Sequence, residues 1–427
     1  MTERIERVAA GERIAQLDVL RGIAILFILV LNIPYMADFV EPDYFPRRVS
    51  WTGLDQAAWW FNRLIDGTQR GLLELLFGAG VLIMARHAMA PDGPVAVADL
   101  HLRRNLWLAA FGIAHGVLLL WPGDILFSYG TAALLIFPFR MLAVRRLLII
   151  GIAISAVLLI PKIEDYTVRV ALVEQVKAGE PQAVTAWDQA RADVTTPDPN
   201  AFARTRAALL ADLPKYVRGA QETWAYVQFT GIGIYFENVV EAFATMLIGM
   251  ALFKLGIIQG TASRRTYLWM IVSGYGAGLL MRVPATLAAL RFDALPDIGI
   301  VTHSLARLPI TLGHVAAVAL LLGTLAGGRL LSAFKAPGRM PMTTYFSASI
   351  MAVVVFGGPF MGLWGRFGIA GLLGIALTTI ALQLVVTNLW LRHFETGPAE
   401  WLWKSLTYWR FQPWRRRNAL AGAEVTA

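Results

Sequence analysis

The chain contains no cysteine, which excludes disulfides, thiolate nucleophiles, zinc–cysteine sites and iron–sulfur clusters. Charge is scarce as well. Asp, Glu, Lys and Arg make up 16% of the residues, against about 25% in ordinary soluble domains, so a conventional water-soluble globule is excluded. Histidine is rare: there are six in 427 residues, and none forms the i, i+4 pair or the His–Glu constellation that a metal site wants. The P-loop, dinucleotide and serine-hydrolase fingerprints are also missing, and Gly78-Ala79-Gly80 and Gly231-Ile232-Gly233 lack the context of a phosphate loop. The sequence therefore predicts no metal, haem or flavin.

What is present is apolar. Hydrophobic residues form 57% of the chain and fall in long runs, with a mean hydropathy of +0.56. This composition predicts an all-α, polytopic integral membrane protein. Ten spans are expected, at about 17–39, 57–85, 103–121, 124–140, 145–162, 228–254, 266–290, 308–326, 342–362 and 368–394, since about 20 apolar residues cross the hydrocarbon core. The net charge of +9 would suit a nucleic-acid binder only if the cations shared one exposed face. Here they lie in short loops, so the expected partner is the lipid bilayer and no nucleic acid. Arg86, Arg103, Arg104, Arg140, Arg145, Arg146, Lys254, Arg264, Arg265, Arg329, Lys335 and Arg339 fall on one side of the alternating spans, and Lys404, Arg410, Arg415, Arg416 and Arg417 join them in the tail. The positive-inside rule then predicts both termini in the cytoplasm and a plasma-membrane location, the inner membrane in a bacterium with two. The polar start, Met1 to Gln16, runs into an apolar segment with no small-residue cleavage site, which argues against a removable signal peptide.

Four regions follow: spans 1–5 over residues 1–162, a polar outer loop over 163–227, spans 6–10 over 228–394 and a basic tail over 395–427. The loop carries Pro181, Pro197, Pro199 and Pro214, and the apolar spacing of Val168 to Val176 and Ala201 to Leu213 predicts short amphipathic helices. It reads either as a solvated hairpin or as a lid. No convincing repeat is visible. Leu75 to Ile83 and Met246 to Phe253 are faintly alike, which is the small-residue spacing of closely packed helices rather than a transporter repeat.

Ionisable groups inside spans are costly, so they face a cavity or a partner. Asp18 and Arg21 fall at the inner end of the first span and Asn32 near its outer end. Asp66, Arg70 and Glu74, at i, i+4 and i+8, are expected on one stripe of the second span. His115 lies two-thirds of the way along the third, with Asp124 just beyond it, and Glu237, Asn238, Glu241, Arg282 and His314 follow in later spans. Apart from Asp18 and Arg21, these project to the outer half or the centre of the bilayer. They predict a shared outward-facing polar chamber, although for a pair such as Arg70 and Glu74 an internal salt bridge is an equal reading.

The segment Leu17 to Ile33, LDVLRGIAILFILVLNI, resembles the opening of the YeiB-like membrane proteins, known as domain of unknown function 418. Arg70 with Leu75-Leu76-Phe77-Gly78 resembles that family's second-span motif, with Glu74 where a serine is usual. His115, Trp121, Gly123, Asp124, Ile125 and Leu126 resemble its H-x(5)-W-x-G-D-I-L signature. Gly338-Arg339-Met340 with Thr343 and Tyr345, then Gly397-Pro398, Glu400 to Trp403 and Leu406-Thr407-Tyr408, resemble its closing motifs. The family is in turn similar to transmembrane acyltransferases of the heparan-alpha-glucosaminide N-acetyltransferase type, which pass an acyl group from a cytosolic thioester across the bilayer. Asp18, Arg21, Gly22 and Asn32 are shared residues, and Ser50-Trp51 with Gly53-Leu54 resembles a stretch that a catalytic histidine precedes. This chain has Arg48 at that position, and an arginine cannot serve as a base.

The resemblance implies acyl-CoA as donor substrate and an extracytoplasmic sugar, glycan, peptide or lipid head group as acceptor. Acyl transfer needs a base, an oxyanion donor and cations for the donor's phosphates. His115 is the candidate base, oriented by Asp124 or Asp66, and Asn32 the candidate oxyanion donor. Arg103, Arg104, Arg145 and Arg146, together with Asp18 and Arg21, are candidates for the inner, donor-binding mouth, though these arginines equally serve as topology determinants. Two other classes compete: a transporter or flippase, and a membrane protein that binds a partner without catalysis. A homo-oligomer is compatible with all three.

Overall fold

The computed structural model describes residues 14–38, 53–86, 95–121, 123–195, 213–225, 232–289, 296–357 and 360–416. Arg48, Ser50, Trp51, the run 201–212 and Arg417 lie outside the described residues. Among the described residues the architecture is helical without a named strand, as expected where water is absent and every backbone N–H and C=O must be satisfied within its own segment. The first half comprises α1 (Ala15–Asp38), α2 (Gly53–Ile65), α3 (Thr68–Ala85), α4 (Val95–Leu118), α5 (Leu126–Ile136), α6 (Val144–Val157), α7 (Ile160–Lys177) and α8 (Pro181–Thr195). The second half comprises α9 (Leu213–Ala225), α10 (Ile232–Lys254), α11 (Arg264–Ala289), α12 (Gly299–Leu322), α13 (Leu325–Ser332), α14 (Lys335–Arg339), α15 (Pro341–Phe356), α16 (Ile369–His393) and α17 (Pro398–Thr407).

Seven stretches are long and apolar enough to cross a bilayer, by length and composition: Ala15–Ala37, Gly53–Ala85, Val144–Lys177, Phe236–Lys254, Arg264–Ala289, Gly299–Leu322 and Ile369–His393. The expected count of ten is therefore not reproduced. The helices over the other three expected spans differ for visible reasons. α4 carries His101, Arg103, Arg104 and Asn105 in its first half, and Leu126–Met141 and Pro341–Phe356 are shorter.

Two further expectations are corrected. The second span is broken between α2 and α3, where Gly67 adopts φ 73°, a left-handed conformation that glycine takes without strain. Asp66 therefore leaves the expected stripe, whereas Arg70 and Glu74 stay together on α3. The fifth span does not stop near residue 162, because α7 continues α6 with only Leu158 and Leu159 between them.

α1 lies in the middle of the bundle, with Val19, Leu20, Ala24 and Leu26 fully buried. Its glycine sets how close its neighbours come: a Cβ on Gly22 would stand 1.9 Å from the carbonyl oxygen of Phe334, and one on Gly338 would stand 1.8 Å from that of Asp18. The opening Asp-x-x-Arg-Gly motif and the closing Gly-Arg-Met motif are thus two sides of one contact. The two faintly similar glycine runs also face each other, Gly78 against the carbonyl of Met246 and Gly249 against that of Leu75, the close packing that small residues allow. At the start of α15, Glu400 of α17 accepts the N–H groups of Met342 and Thr343 at 2.5 and 3.0 Å and the Thr343 hydroxyl at 2.6 Å. It satisfies donors that a helix N-terminus leaves without an intrahelical partner.

Candidate functional site

The reversal after α4 builds the site. The last turn closes with the Leu119 N–H donating to the His115 carbonyl at 2.9 Å. Leu120 then adopts φ 59°, a conformation that disfavours a non-glycine residue by about 1–2 kcal/mol. The chain turns back through Trp121 and Gly123, whose missing Cβ leaves room for the Trp121 ring. Asp124 arrives beside the helix it has just left. Gly112 permits that approach, since a Cβ there would stand 2.3 Å from the Phe127 nitrogen and 2.5 Å from an Asp124 carboxylate oxygen.

Asp124 uses both oxygens. Oδ2 accepts the Phe127 N–H at 2.8 Å, capping α5, and Oδ1 lies 2.7 Å from His115 Nδ1. A carboxylate only accepts, so it places the imidazole proton on Nδ1 and leaves Nε2 as an acceptor. Nε2 lies 2.8 Å from the Ser349 hydroxyl of α15. All three residues are buried. Tyr345, one turn before Ser349, accepts the Trp121 indole N–H at 3.1 Å and packs its ring 4.7 Å from the imidazole. His115, Trp121, Gly123 and Asp124 of the signature therefore meet in one packed unit, in which His115 and Asp124 bond with Ser349, Trp121 bonds with Tyr345, and ring packing joins the two sets. A recess lined by Met36, Leu119, Leu120, Trp121, Ser349, Ala352 and Val353 leads to it. The lining residues of α1 and α15 lie toward the C-terminal ends of those helices, and Leu119 to Trp121 directly follow the C-terminal end of α4, so the three helices run in one direction.

A second polar cluster lies between the N-terminal halves of α3, α10 and α12. Arg307 donates to Glu74 at 2.7 Å, pairs with Glu241 at 3.0 Å and donates to the Thr245 hydroxyl at 3.0 Å. Arg70 pairs with Glu241 and, at 3.4 Å, with Glu74, and donates to Asn238 at 3.1 Å. Two guanidinium groups thus face two carboxylates. At the rim, Lys162 pairs with Glu237 at 2.6 Å and donates to Ser304 at 2.7 Å. Arg282 donates to the carbonyls of Arg63 and Asp66 at 3.0 and 2.6 Å and meets His303 at 3.2 Å. It holds the break between α2 and α3 against α12. The Asp66 carboxylate is 3.6 Å from His303 and makes no contact with His115. His314 lies between the Tyr275 hydroxyl, 2.8 Å away, and the Thr68 hydroxyl, 3.3 Å away. The Tyr129 hydroxyl donates to the Arg70 carbonyl at 3.1 Å, so α5 joins this cluster to the triad.

Asn32 is half-buried on α1, one turn before Met36, and makes no hydrogen bond to the triad. At the other end of the bundle, Arg21 lies 3.5 Å from Asp18 and donates to the Gly338 carbonyl at 3.3 Å. Arg104 stacks on Trp403 at 4.6 Å and is close enough to Arg21 for the two charges to repel. Arg103 pairs with Asp99 at 2.5 Å on its own helix. Arg145 and Arg146 are exposed at the start of α6, which packs chiefly on α10, so the structure does not gather the four arginines.

Sequence reasoning missed Ser349 and Arg307. Ser349 sits in an apolar helix 234 residues from His115 and carries no local signal. Arg307 stood one residue outside the expected eighth span, and its spacing of two helical turns from His314 was the available sign. The Asp66-Gly67 dipeptide was likewise a turn signal inside the expected second span.

Residues 252–410 match the family described as "Protein of unknown function (DUF418)". Over 424 residues, covering 94% of this chain and 96% of the other, the chain is 29% identical to "Uncharacterized protein YxaH" of Bacillus subtilis (strain 168). It is 26% identical to "Uncharacterized protein YeiB" of Escherichia coli (strain K12) over 420 residues, covering 93% and 96% of the two chains. No solved structure matches. The YeiB-like resemblance carried by the motifs is borne out, and the names of these relatives state no activity.

Proposed function

We propose that this YeiB-like, DUF418-containing membrane protein is an acyltransferase. It takes an acyl group from a cytosolic acyl-CoA and delivers it to a hydroxyl or amine of an acceptor on the outer side of the plasma membrane, the cytoplasmic or inner membrane of a bacterium. One observation carries the reading: His115 is held by Asp124 through Nδ1 and presents Nε2 to a hydroxyl beneath a recess. That is the arrangement of a general base with an orienting carboxylate. Asp124 is a positioning residue in this scheme, and Asn32 stands one turn from the recess as a candidate oxyanion donor.

The direction of transfer follows from the charge pattern. With the arginine-rich loops and both termini in the cytoplasm, the recess opens outward and the Arg21–Arg104 end faces in. Arg104 has the Trp403 ring against it and, among the described residues, no carboxylate, so it is the candidate contact for the donor's phosphates at this end, with the Arg21–Asp18 pair nearby. Eleven residues of α4 separate Arg104 from His115, about 16 Å at the rise of a helix, so the donor must reach up along α4 to the base. The charged cluster between α3, α10 and α12 lies at the acceptor's end and braces the helices around it.

Calorimetry with CoA and acetyl-CoA on the purified protein tests this. Binding is expected at low salt and moderately weaker binding as salt rises, because added ions screen the attraction of half-buried cations for phosphates in part. No affinity for either ligand at low salt would overturn the CoA donor.

A further inference from the structure

Ser349 enters the scheme so far only as the hydroxyl on His115, yet it occupies the one imidazole atom through which His115 can act as a base. Its behaviour is also unlike that of its neighbours. A hydroxyl in an apolar helix commonly bonds back to its own backbone, and Thr344 and Ser347 do so, to the carbonyls of Met340 and Thr344 at 2.8 Å each. Ser349 instead turns across to a different helix and donates to His115 Nε2 at 2.8 Å. A nucleophile bonded to a base, and a base bonded to an orienting carboxylate, is the pattern of an activated hydroxyl. The serine is buried but lines the recess, whose other residues are mainly apolar: Met36, Leu119, Leu120, Ala352 and Val353. Such apolar walls limit the water that would hydrolyse an ester.

We propose that Ser349 is the nucleophile of a double displacement and carries the acyl group as an ester between donor and acceptor. This rests on the acyl-transfer reading and deepens it. In the first step Ser349 Oγ bonds to the thioester carbonyl carbon while its proton passes to His115 Nε2. The carbon–sulfur bond breaks, and the leaving sulfur takes that proton as CoA departs. In the second step the acceptor's oxygen or nitrogen attacks the ester carbonyl and gives its proton to Nε2. The bond to Oγ breaks and Ser349 recovers the proton. Tyr345 accepts the Trp121 N–H, so its own O–H is the candidate donor to the oxyanion in both steps.

The test uses the full-length protein in lipid nanodiscs and two reagents. A fluorophosphonate reports an activated serine whatever the natural donor is: Oγ bonds to phosphorus, fluoride leaves and the proton goes to His115. Acetyl-CoA reports the proposed donor. Peptide mass spectrometry should find both adducts on Ser349, the acetyl adduct removable by hydroxylamine. Ser349→Ala should abolish both, and His115→Gln should slow both by about 100-fold or more. A fluorophosphonate adduct on Ser349 without an acetyl adduct would support the nucleophile and reject the CoA donor. Acetyl transfer that persists in Ser349→Ala would reject the nucleophile and keep the transferase. Folded wild-type protein that takes neither adduct at Ser349 would overturn the proposal, and because that measurement is made on wild type, a poorly folding variant does not blunt it.

Discussion

Asp124 and Glu74 are both buried carboxylates of one bundle, and they are held by opposite means. Asp124 faces an imidazole and a backbone N–H and, among the described residues, no guanidinium or ammonium group, whereas Glu74 lies between Arg70 and Arg307. The first arrangement is a chain of single hydrogen bonds that ends on a hydroxyl, so a proton can move along it while the folded framework stays in place. The second closes on itself: each guanidinium of the quartet touches each carboxylate. Moving a proton or a side chain there would leave a charge uncompensated in a low-dielectric setting. The difference assigns chemistry to the triad and anchoring to the quartet, although both lie toward the same end of the bundle and α5 links them.

The largest effect should come from opening the quartet. Arg307→Met leaves Glu74 and Glu241 with Arg70 as their one remaining cation in the quartet, and loss of one partner of a buried pair is expected to lower stability by about 3–5 kcal/mol. Removing Glu74 as well, in Arg307→Met/Glu74→Met, leaves the Arg70–Glu241 pair intact and should recover most of that loss. Chemical denaturation of the three proteins in detergent checks this. Equal losses in the single and double variants would show that the quartet is not an electrostatic unit.

His115→Gln breaks the other side of the comparison. Acyl transfer should fall about 100-fold or more, equivalent to roughly 2.7 kcal/mol of barrier at 1.36 kcal/mol per tenfold. Melting temperature and CoA binding should change little, because glutamine can still bond Asp124 and Ser349. A variant with wild-type turnover per folded molecule would reduce His115 to a brace.

Gly112→Ala tests how tightly the triad depends on its reversal. The added methyl would press on the Phe127 nitrogen and on Asp124 Oδ2, and overpacking of this kind lowers stability by about 1–3 kcal/mol. Labelling of Ser349 should drop with it, whereas Gly80→Ala, where a Cβ meets nothing within 4 Å, should leave labelling unchanged. Labelling unaffected by Gly112→Ala would mean that Asp124 need not stay where the signature puts it.

These three tests also mark what was legible in the sequence. The helical membrane class followed from charge scarcity and apolar runs, and His115 with Asp124 followed from a motif confined to ten residues. Ser349 was not legible, because pairing α4 with α15 is decided by packing across the bundle. Arg307 was hidden by a boundary one residue off, and the Asp66 stripe failed because the apolar periodicity continues through the turn at Gly67. Local chemistry was readable, and partnership between distant helices was not.

The smallest effect sharpens the comparison, because Glu400 is a second carboxylate held by neutral donors, here the N–H groups of Met342 and Thr343 and the Thr343 hydroxyl. α17 lies outside the spanning helices. Burial pushes the Glu400 carboxyl up from its ordinary value, and those hydrogen bonds pull it part of the way back. A raised value in the folded state means that folded protein binds the proton more tightly than unfolded protein does. The resulting stability is complete below the unfolded value of about 4.3 and is lost as pH rises through the raised folded value. Glu400→Gln cannot ionise, and its amide oxygen still accepts from the start of α15, so at neutral pH it should cost less than about 1 kcal/mol. Its melting temperature should also fall less than that of wild type between mildly acidic and neutral pH. If the two melting profiles run parallel, Glu400 ionises alike in both states, and the three neutral donors offset the cost of burying its charge in full.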